Sequence, residues 1–98
     1  MRRGTTPTHT FLLPLAAADV KKIRVIYCQD GENVLTREDA EISGNIATLQ
    51  LTQEETLKFN SESRVEIQVR LLAEDDEALA SNIITVRVDR LLESEVLV

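Results

Sequence analysis

The segment SRVEIQVRLLAE (63–74) alternates between apolar and polar residues more regularly than any other part of the chain. Its apolar set is Val65, Ile67, Val69 and Leu71, and its polar set is Glu66, Gln68 and Arg70. Because successive side chains of a β-strand point to opposite faces, this pattern predicts a strand with one buried and one solvated face. Such strands are typical of antiparallel sheets, and this constrains the fold class more than any other feature.

Two hairpins are predicted upstream of this strand. KIRVIYCQ (22–29) carries apolar residues on both faces, which indicates a central strand, and Asp30-Gly31 is a strong signal for a type I′ turn that reverses it. A second hairpin joins 40–43 to 45–51, and its buried face is predicted to carry Ala47, Leu49 and Leu51. AAADVKK (16–22), before the first hairpin, is predicted to be a short turn or one helical turn.

Two further segments complete the predicted sheets. THTFLLPL (8–15) is bracketed by Pro7 and Pro14, which favours a strand at the edge of a sheet. SNIITVRVDRLL (81–92) is predicted to be one strand that mirrors 63–74, with Arg70 and Arg87 opposite acidic neighbours. Its predicted core-facing residues are Ile84, Val86 and Val88.

The segment LTQEETLKF (51–59) interrupts the β pattern. Thr52 and Glu55 have the spacing of a capping box, which predicts one or two helical turns around 52–58 with Leu57 as the main apolar anchor. The alternative is that Glu54 and Glu55 act together as an acid–base pair. Adjacent residues on a helix diverge by about 100° and do not converge on one substrate atom, so capping is the better interpretation.

The segments add up to roughly seven short strands with frequent turn signals, which is typical of a β-sandwich. We predict a single domain over 1–98, all-β, an immunoglobulin-like antiparallel sandwich with one short helix, an N-terminal arm (1–7) and a C-terminal tail (93–98). Aromatic residues make up only 3% of the chain, so its core is expected to consist mainly of Val, Ile and Leu.

Residues suited to catalysis or to cofactor binding are scarce. His9 and Cys28 are the single histidine and the single cysteine, which is too few for a zinc site or a paired nucleophile and base. The acidic run 74–77 lacks the ligand spacing of a calcium loop and is interpreted as a solvated hairpin tip. The prediction is therefore no enzyme, with no catalytic residue, no cofactor and no metal.

Charge and hydropathy narrow the choice of partner. The net charge of −6 disfavours nucleic acid, since the basic stretches Arg2-Arg3 and 21–24 are short and lack interleaved aromatic residues. No apolar run is long enough to cross a membrane, and the apolar part of the opening, 11–18, is too short and too interrupted for a signal peptide. We expect no nucleic-acid and no membrane partner.

The two ends of the chain hold the candidate interaction residues. MRRGTTPTHTF (1–11) is interpreted as an arm that enters the first strand at about Thr8, with Arg2 and Arg3 either reaching an acidic neighbouring subunit or lying in a disordered tip. ESEVLV (93–98) is a last strand, a segment packed on its own domain, or a surface for a partner. The residues singled out for interaction are Arg2, Arg3, Val96, Leu97 and Val98.

Four stretches of the chain carry a family resemblance: the opening MRRGTTPTHTF, GNIATLQLTQEETLKF (44–59), the segment 65–88 and the closing ESEVL (93–97). Together they resemble a family of small prophage-encoded proteins from Firmicutes. The predicted layout is also loosely similar to the N-terminal β-sandwich of phage baseplate upper proteins.

The resemblance implies a non-enzymatic phage structural or assembly protein of the tail or baseplate. Its expected partners are other phage structural proteins and further copies of itself. Its expected location is the bacterial host cytoplasm during assembly, or the virion. The alternative is a soluble binding module that docks a protein or, with less support, a carbohydrate through its turns. A second alternative is an accessory domain of an enzyme.

Overall fold

A computed structural model describes the whole chain, Met1–Val98. It consists of eight strands, one 3-10 turn at Ala17–Asp19 and one short helix, α1, at Gln53–Leu57. The strands are β1 (Thr8–Leu12), β2 (Val20–Gln29), β3 (Glu32–Arg37), β4 (Glu41–Ser43), β5 (Ile46–Gln50), β6 (Arg64–Ala73), β7 (Ala78–Ala80) and β8 (Ile84–Arg87).

The strands form two antiparallel sheets that pack as a sandwich, as predicted. The smaller sheet has the order β1-β5-β4, and the larger has β3-β2-β6 with β7 and β8 both paired to the far edge of β6. This is the immunoglobulin order B-E-D against C′-C-F-G, with β7 and β8 together in the place of G. No strand pairs with the free edge of β1, where strand A lies in an immunoglobulin sandwich. Only a parallel bridge between Arg2 and Asp89 lies where the end of that strand would be.

The core lies between the inner faces of β2 and β6 and the smaller sheet. The alternation predicted for 63–74 is confirmed, because Val65, Ile67, Val69 and Leu71 are all buried. Fifteen buried residues form one hydrophobic cluster, most of them Val, Ile or Leu. All three aromatic side chains, Phe11, Tyr27 and Phe59, are buried within it.

Both predicted hairpins are present. Asp30 and Gly31 have φ angles of 53° and 78°, the two positive values that a type I′ turn requires, and they join β2 to β3. Gly44, with φ of 60°, joins β4 to β5. Ser63 Oγ donates to Asp30 Oδ1 at 2.8 Å, which attaches the first turn to the start of β6.

The prediction of one strand over 81–92 is wrong. Within the segment only Ile84–Arg87 forms a strand, β8. The register against β6 changes by one residue between Arg70↔Ala80 in the preceding strand β7 and Ile67↔Ile84 in β8. At the break, Ser81 N donates to Val69 O at 2.8 Å, and Val69 N donates to the Ser81 hydroxyl at 3.0 Å. The Ser81 hydroxyl accepts the hydrogen bond that a backbone carbonyl of the paired strand would otherwise accept, and a β-bulge forms at this point.

After the bulge the predicted face is kept, because Ile84 and Val86 lie opposite the buried Ile67 and Val65. Val88 is buried as predicted, whereas Ile84 is 44% exposed because it lies on an edge strand. The prediction of acidic neighbours for the two arginines is wrong as well. Arg70 lies opposite Arg24, and Arg87 lies opposite Arg64.

Helix α1 carries the predicted capping box. Glu55 N donates to Thr52 Oγ1 at 3.1 Å, and Thr52 N donates to Glu55 Oε1 at 2.9 Å. The prediction of Leu57 as the main anchor is wrong, because Leu57 is half-buried while Thr56 is fully buried. A helix of a single turn buries one position, and here the Thr56 hydroxyl donates to Thr5 O at 2.8 Å within that contact.

Candidate functional site

Strand β1 leaves one edge of the smaller sheet open. It pairs only with β5, where Leu51 N donates to Pro7 O and Leu13 N donates to Asn45 O. In an antiparallel pair, the backbone groups of successive residues point alternately towards the partner strand and away from it. These two bonds therefore show that the odd-numbered residues of β1 hydrogen-bond to β5. The backbone N–H and C=O groups of the remaining residues, Thr8, Thr10 and Leu12, therefore point away from the sheet.

The open edge of β1 lacks the features that usually prevent pairing with another chain. Its sequence THTFL contains no Lys, Asp, Glu, Pro or Gly. The other edges are protected: β3 carries Glu32 and Arg37, β4 is only three residues long, and β7 and β8 are short and separated by the bulge at Ser81. The β1 edge is therefore the best candidate for strand addition.

An apolar groove of about 280 Å³ lies beside this edge, between β1 and the β7–β8 edge of the other sheet. Its floor includes Phe11, Leu13 and Leu71, and no charged residue lines it. Leu12, which is 78% exposed, and Ile84 are also among its lining residues. In an immunoglobulin sandwich, strand A lies next to strand B. Strand B corresponds here to β1, so the groove lies at the position where no strand pairs with β1.

The inner face of β1 is fixed to the opposite sheet by a polar contact. His9 Nδ1 lies 2.7 Å from the hydroxyl oxygen of Tyr27 on β2. Burial, and to a smaller extent the positive amino terminus, lowers the pKa of His9 below its usual 6.5. Burial also raises the pKa of the Tyr27 hydroxyl well above its usual range. Both groups stay neutral near pH 7, so the pair positions β1 without adding a charge to the core.

The opposite side of the sandwich has a different character. Arg37, at the end of β3, donates to both carboxylate oxygens of Asp39 at 2.6 and 2.7 Å, and to Glu55 Oε1 at 2.6 Å. It also donates to Gln50 O, at 3.3 Å. The hydrogen bond from Arg37 is the main cause of a lowered pKa for Asp39, and the same bond raises the pKa of Arg37. The guanidinium thus covers the end of β5 that β4 leaves unpaired.

A second ion-pair group lies on the same side. Glu38 contacts Arg24 at 2.7 Å and Lys22 at 3.4 Å. Hydrogen bonds from Arg24 first, and then from Lys22, lower the pKa of Glu38. This surface therefore remains charged over the neutral range.

The two predicted arginines of the arm bind to their own chain. Arg2 Nη1 donates to Arg90 O at 2.7 Å, and Arg3 Nη2 donates to Leu57 O at 3.0 Å. The backbone bridge to Asp89 holds the same segment. Gly4, with φ of 71°, packs so closely on Leu91 that an added Cβ would collide with its side chain.

The predicted tail residues lie near the same helix. The Gln53 side chain holds the backbone of Leu97 with two bonds, Leu97 N to Gln53 Oε1 at 2.7 Å and Gln53 Nε2 to Leu97 O at 2.9 Å. The Leu97 and Val98 side chains remain exposed, and Val96 is half-buried. The structure thus brings both ends of the chain to α1, and none of the five predicted residues lines the groove.

The groove residues were missed because the sequence shows an edge strand but not what lies beside it. The one available signal was the uncharged stretch 8–13 between two prolines. Elsewhere, no group of three or more His, Cys, Asp or Glu side chains is placed to hold a metal ion. Asp76, in the acidic turn, pairs with Lys21 at 3.0 Å.

The comparisons with known proteins give no match. The searches found no family model, no curated protein and no solved structure that matches the chain. No helix has the length and hydropathy needed to cross a membrane.

Proposed function

We propose that this chain is a non-enzymatic structural or assembly protein that acts by binding a protein chain along the open edge of β1. The observation that carries the proposal is the uncharged edge THTFL, with outward backbone groups at Thr8, Thr10 and Leu12, next to an apolar groove. Strand addition uses these two features together: main-chain hydrogen bonds supply affinity, and pockets for alternate side chains supply specificity.

The phage part of the proposal is supported by the resemblance of the opening, of 44–59 and of 65–88 to small prophage-encoded proteins. On that basis the protein belongs to tail or baseplate assembly. Its partners are other phage structural proteins, and its place is the host cytoplasm during assembly or the virion. A sandwich in which no strand pairs with the free edge of β1 suits an assembly role, because another chain can add to the sheet there.

The alternative function is a binding module that docks a protein through its turns. The exposed acidic turn 74–77 is the feature that favours it. A carbohydrate ligand has less support, because sugars stack on aromatic side chains and Phe11, Tyr27 and Phe59 are all buried.

Co-purification with the proteins encoded by neighbouring genes tests the proposal. Thr10→Lys places a charge on the open edge, and Thr48→Lys places the same charge on the neighbouring strand β5, where Thr48 is the exposed register partner of Thr10. We expect Thr10→Lys to lose the partner and Thr48→Lys to keep it. Retention by both variants, combined with loss in Asp75→Lys, would favour docking through the acidic turn instead.

A further inference from the structure

We propose that the chain added at the open edge is β1 of a second copy, antiparallel to the first and related to it by a two-fold axis through Thr10. This inference rests on the proposed function, because it requires the β1 edge to be a protein-binding edge. It adds the identity of the partner, the register and the symmetry of the contact.

The register follows from which backbone groups are free. Thr8, Thr10 and Leu12 are spaced evenly about Thr10, so a two-fold axis there pairs Thr10 with Thr10 and Thr8 with Leu12 of the partner. Each of these is a hydrogen-bonded pair, and together they form about six main-chain bonds. A shift of two residues in either direction loses one of these pairs. The central register therefore satisfies the most backbone groups.

The charge distribution favours this edge for a contact between identical chains. A net charge of −6 opposes the approach of two copies through most of the surface. The β1 edge and the groove lining carry no charged residue. On the outer face of the smaller sheet, the one acidic strand residue is Glu41 on β4.

The distance between the two Glu41 side chains also permits the pairing. In the proposed dimer the smaller sheets join in the order β4-β5-β1-β1-β5-β4, so the two β4 strands lie five strand spacings apart. At about 4.8 Å for each spacing, this is about 24 Å. That distance is about three Debye lengths at physiological ionic strength, so the repulsion between the two Glu41 side chains is largely screened.

The exposed apolar residues fit the same arrangement. Leu12 is 78% exposed and lies opposite Ile46, which is 43% exposed, in the register of β1 and β5. A second β1 strand covers the free side of Leu12 and closes the mouth of the groove that Ile84 lines. The shared edge is only about 17 Å long, so the interface is small and the dimer is expected to dissociate on dilution.

Cysteine trapping tests the register directly, in a Cys28→Ser background that leaves no other thiol. In Thr10→Cys the two cysteines face each other across the axis, with Cα atoms about 5.5 Å apart, which a disulfide can bridge. Thr48→Cys is the matched control on the same face. Its two copies would be about three strand spacings, or about 14 Å, apart and cannot be bridged. Both sites are exposed, so melting curves are expected to match the parent.

We expect a covalent dimer for Thr10→Cys under mild oxidation, and a monomer for Thr48→Cys. Without oxidant, light scattering is expected to give a mass that rises from 11.0 kDa towards twice that value with concentration. Equal, low trapping at both sites together with a mass of 11.0 kDa at every concentration would overturn the proposed dimer. If the protein shows no such dimer but Thr10→Lys still abolishes the binding of a heterologous partner, self-pairing is wrong and the proposed function stands. Trapping at Thr48 but not at Thr10 would overturn both.

Discussion

The strand edges on the two sides of this sandwich differ in their charge and in their ion pairs. The charged flank, formed by the edges of β3 and β4, is closed by Arg37 with Asp39 and Glu55 and by Glu38 with its two cations. The open flank, formed by the edges of β1 and of β7–β8, has no ion pair and borders an apolar groove. One fold thus carries a flank that resists strand pairing and a flank that permits it.

The two flanks border one continuous hydrophobic core, so the core does not account for the difference between them. What separates them is the presence or absence of charge at the strand edges, together with the unpaired edge of β1. Four predictions test this difference, and they follow in decreasing order of their expected effect on stability.

The largest effect is expected from Ile67→Asp, in the core that both flanks share. Ile67 is 2% exposed, so the change buries an unpaired carboxylate, and a loss of about 4 kcal/mol or more is enough to unfold a typical small domain. Circular dichroism during thermal unfolding measures it. Arg70→Asp, on the solvated face of the same strand, is the control and is expected to remain folded. A parental melting curve for Ile67→Asp would contradict the assignment of the core face.

Arg37→Ala removes the cation that pairs with Asp39 and Glu55 on the charged flank. The Arg37 side chain is 20% exposed and its partner Glu55 is 14% exposed, so the change leaves a largely buried carboxylate without its cation. We expect a loss of about 2 kcal/mol in chemical denaturation. Lys21→Ala, which removes an ion pair exposed on both sides, is expected to cost less than about 0.5 kcal/mol. Equal losses in the two variants would show that the Arg37 group does not stabilise the flank.

Acidification tests the contact that holds β1 from the inside. The pKa of His9 is lower in the folded state than in the unfolded state, so the unfolded state binds the proton more readily. Stability is therefore complete above about pH 6.5 and falls as the pH drops below 6.5 towards the folded-state pKa. Denaturation midpoints between pH 8 and about pH 5 measure this loss. His9→Gln is expected to remove the dependence in that window, and a persistent dependence would assign it to other groups.

The smallest effect on stability is expected on the open flank itself. Leu12→Ser changes a side chain that is 78% exposed, so it is expected to cost less than about 0.5 kcal/mol. Leu13→Ser, one residue further on, changes a side chain that is 5% exposed and is expected to cost about 3 kcal/mol. Chemical denaturation of the two variants gives the contrast. A similar cost at both positions would mean that Leu12 is covered within the monomer.

The sequence predicted much of the fold because the relevant signals are local. Alternation over 63–74, the Asp30-Gly31 turn and the capping box of Thr52 and Glu55 each specify their own backbone. The break between β7 and β8 was not predictable in this way, because it depends on the Ser81 hydroxyl accepting a hydrogen bond from Val69 N on the paired strand β6. Cross-strand partners such as Arg24 and Arg70 likewise depend on register rather than on local pattern.

The candidate site shows the same limit. The sequence indicated an edge strand over 8–15, and the structure confirms an edge strand, β1, over Thr8–Leu12. It did not indicate that the edge borders a groove, because the groove exists where a neighbouring strand is lacking. The arm and the tail were singled out instead, since unusual composition at the ends is visible in a sequence and a missing neighbour is not.

Amide hydrogen exchange of Thr8, Thr10 and Leu12 at low and high protein concentration measures directly whether the β1 edge is open. We expect fast exchange of these three amides in dilute solution and slower exchange when the protein is concentrated. Exchange in β3, on the charged flank, is expected not to change with concentration. Protection of the β1 amides in dilute solution, or fast exchange at every concentration and with every candidate partner, would contradict the claim that this edge is open for another chain.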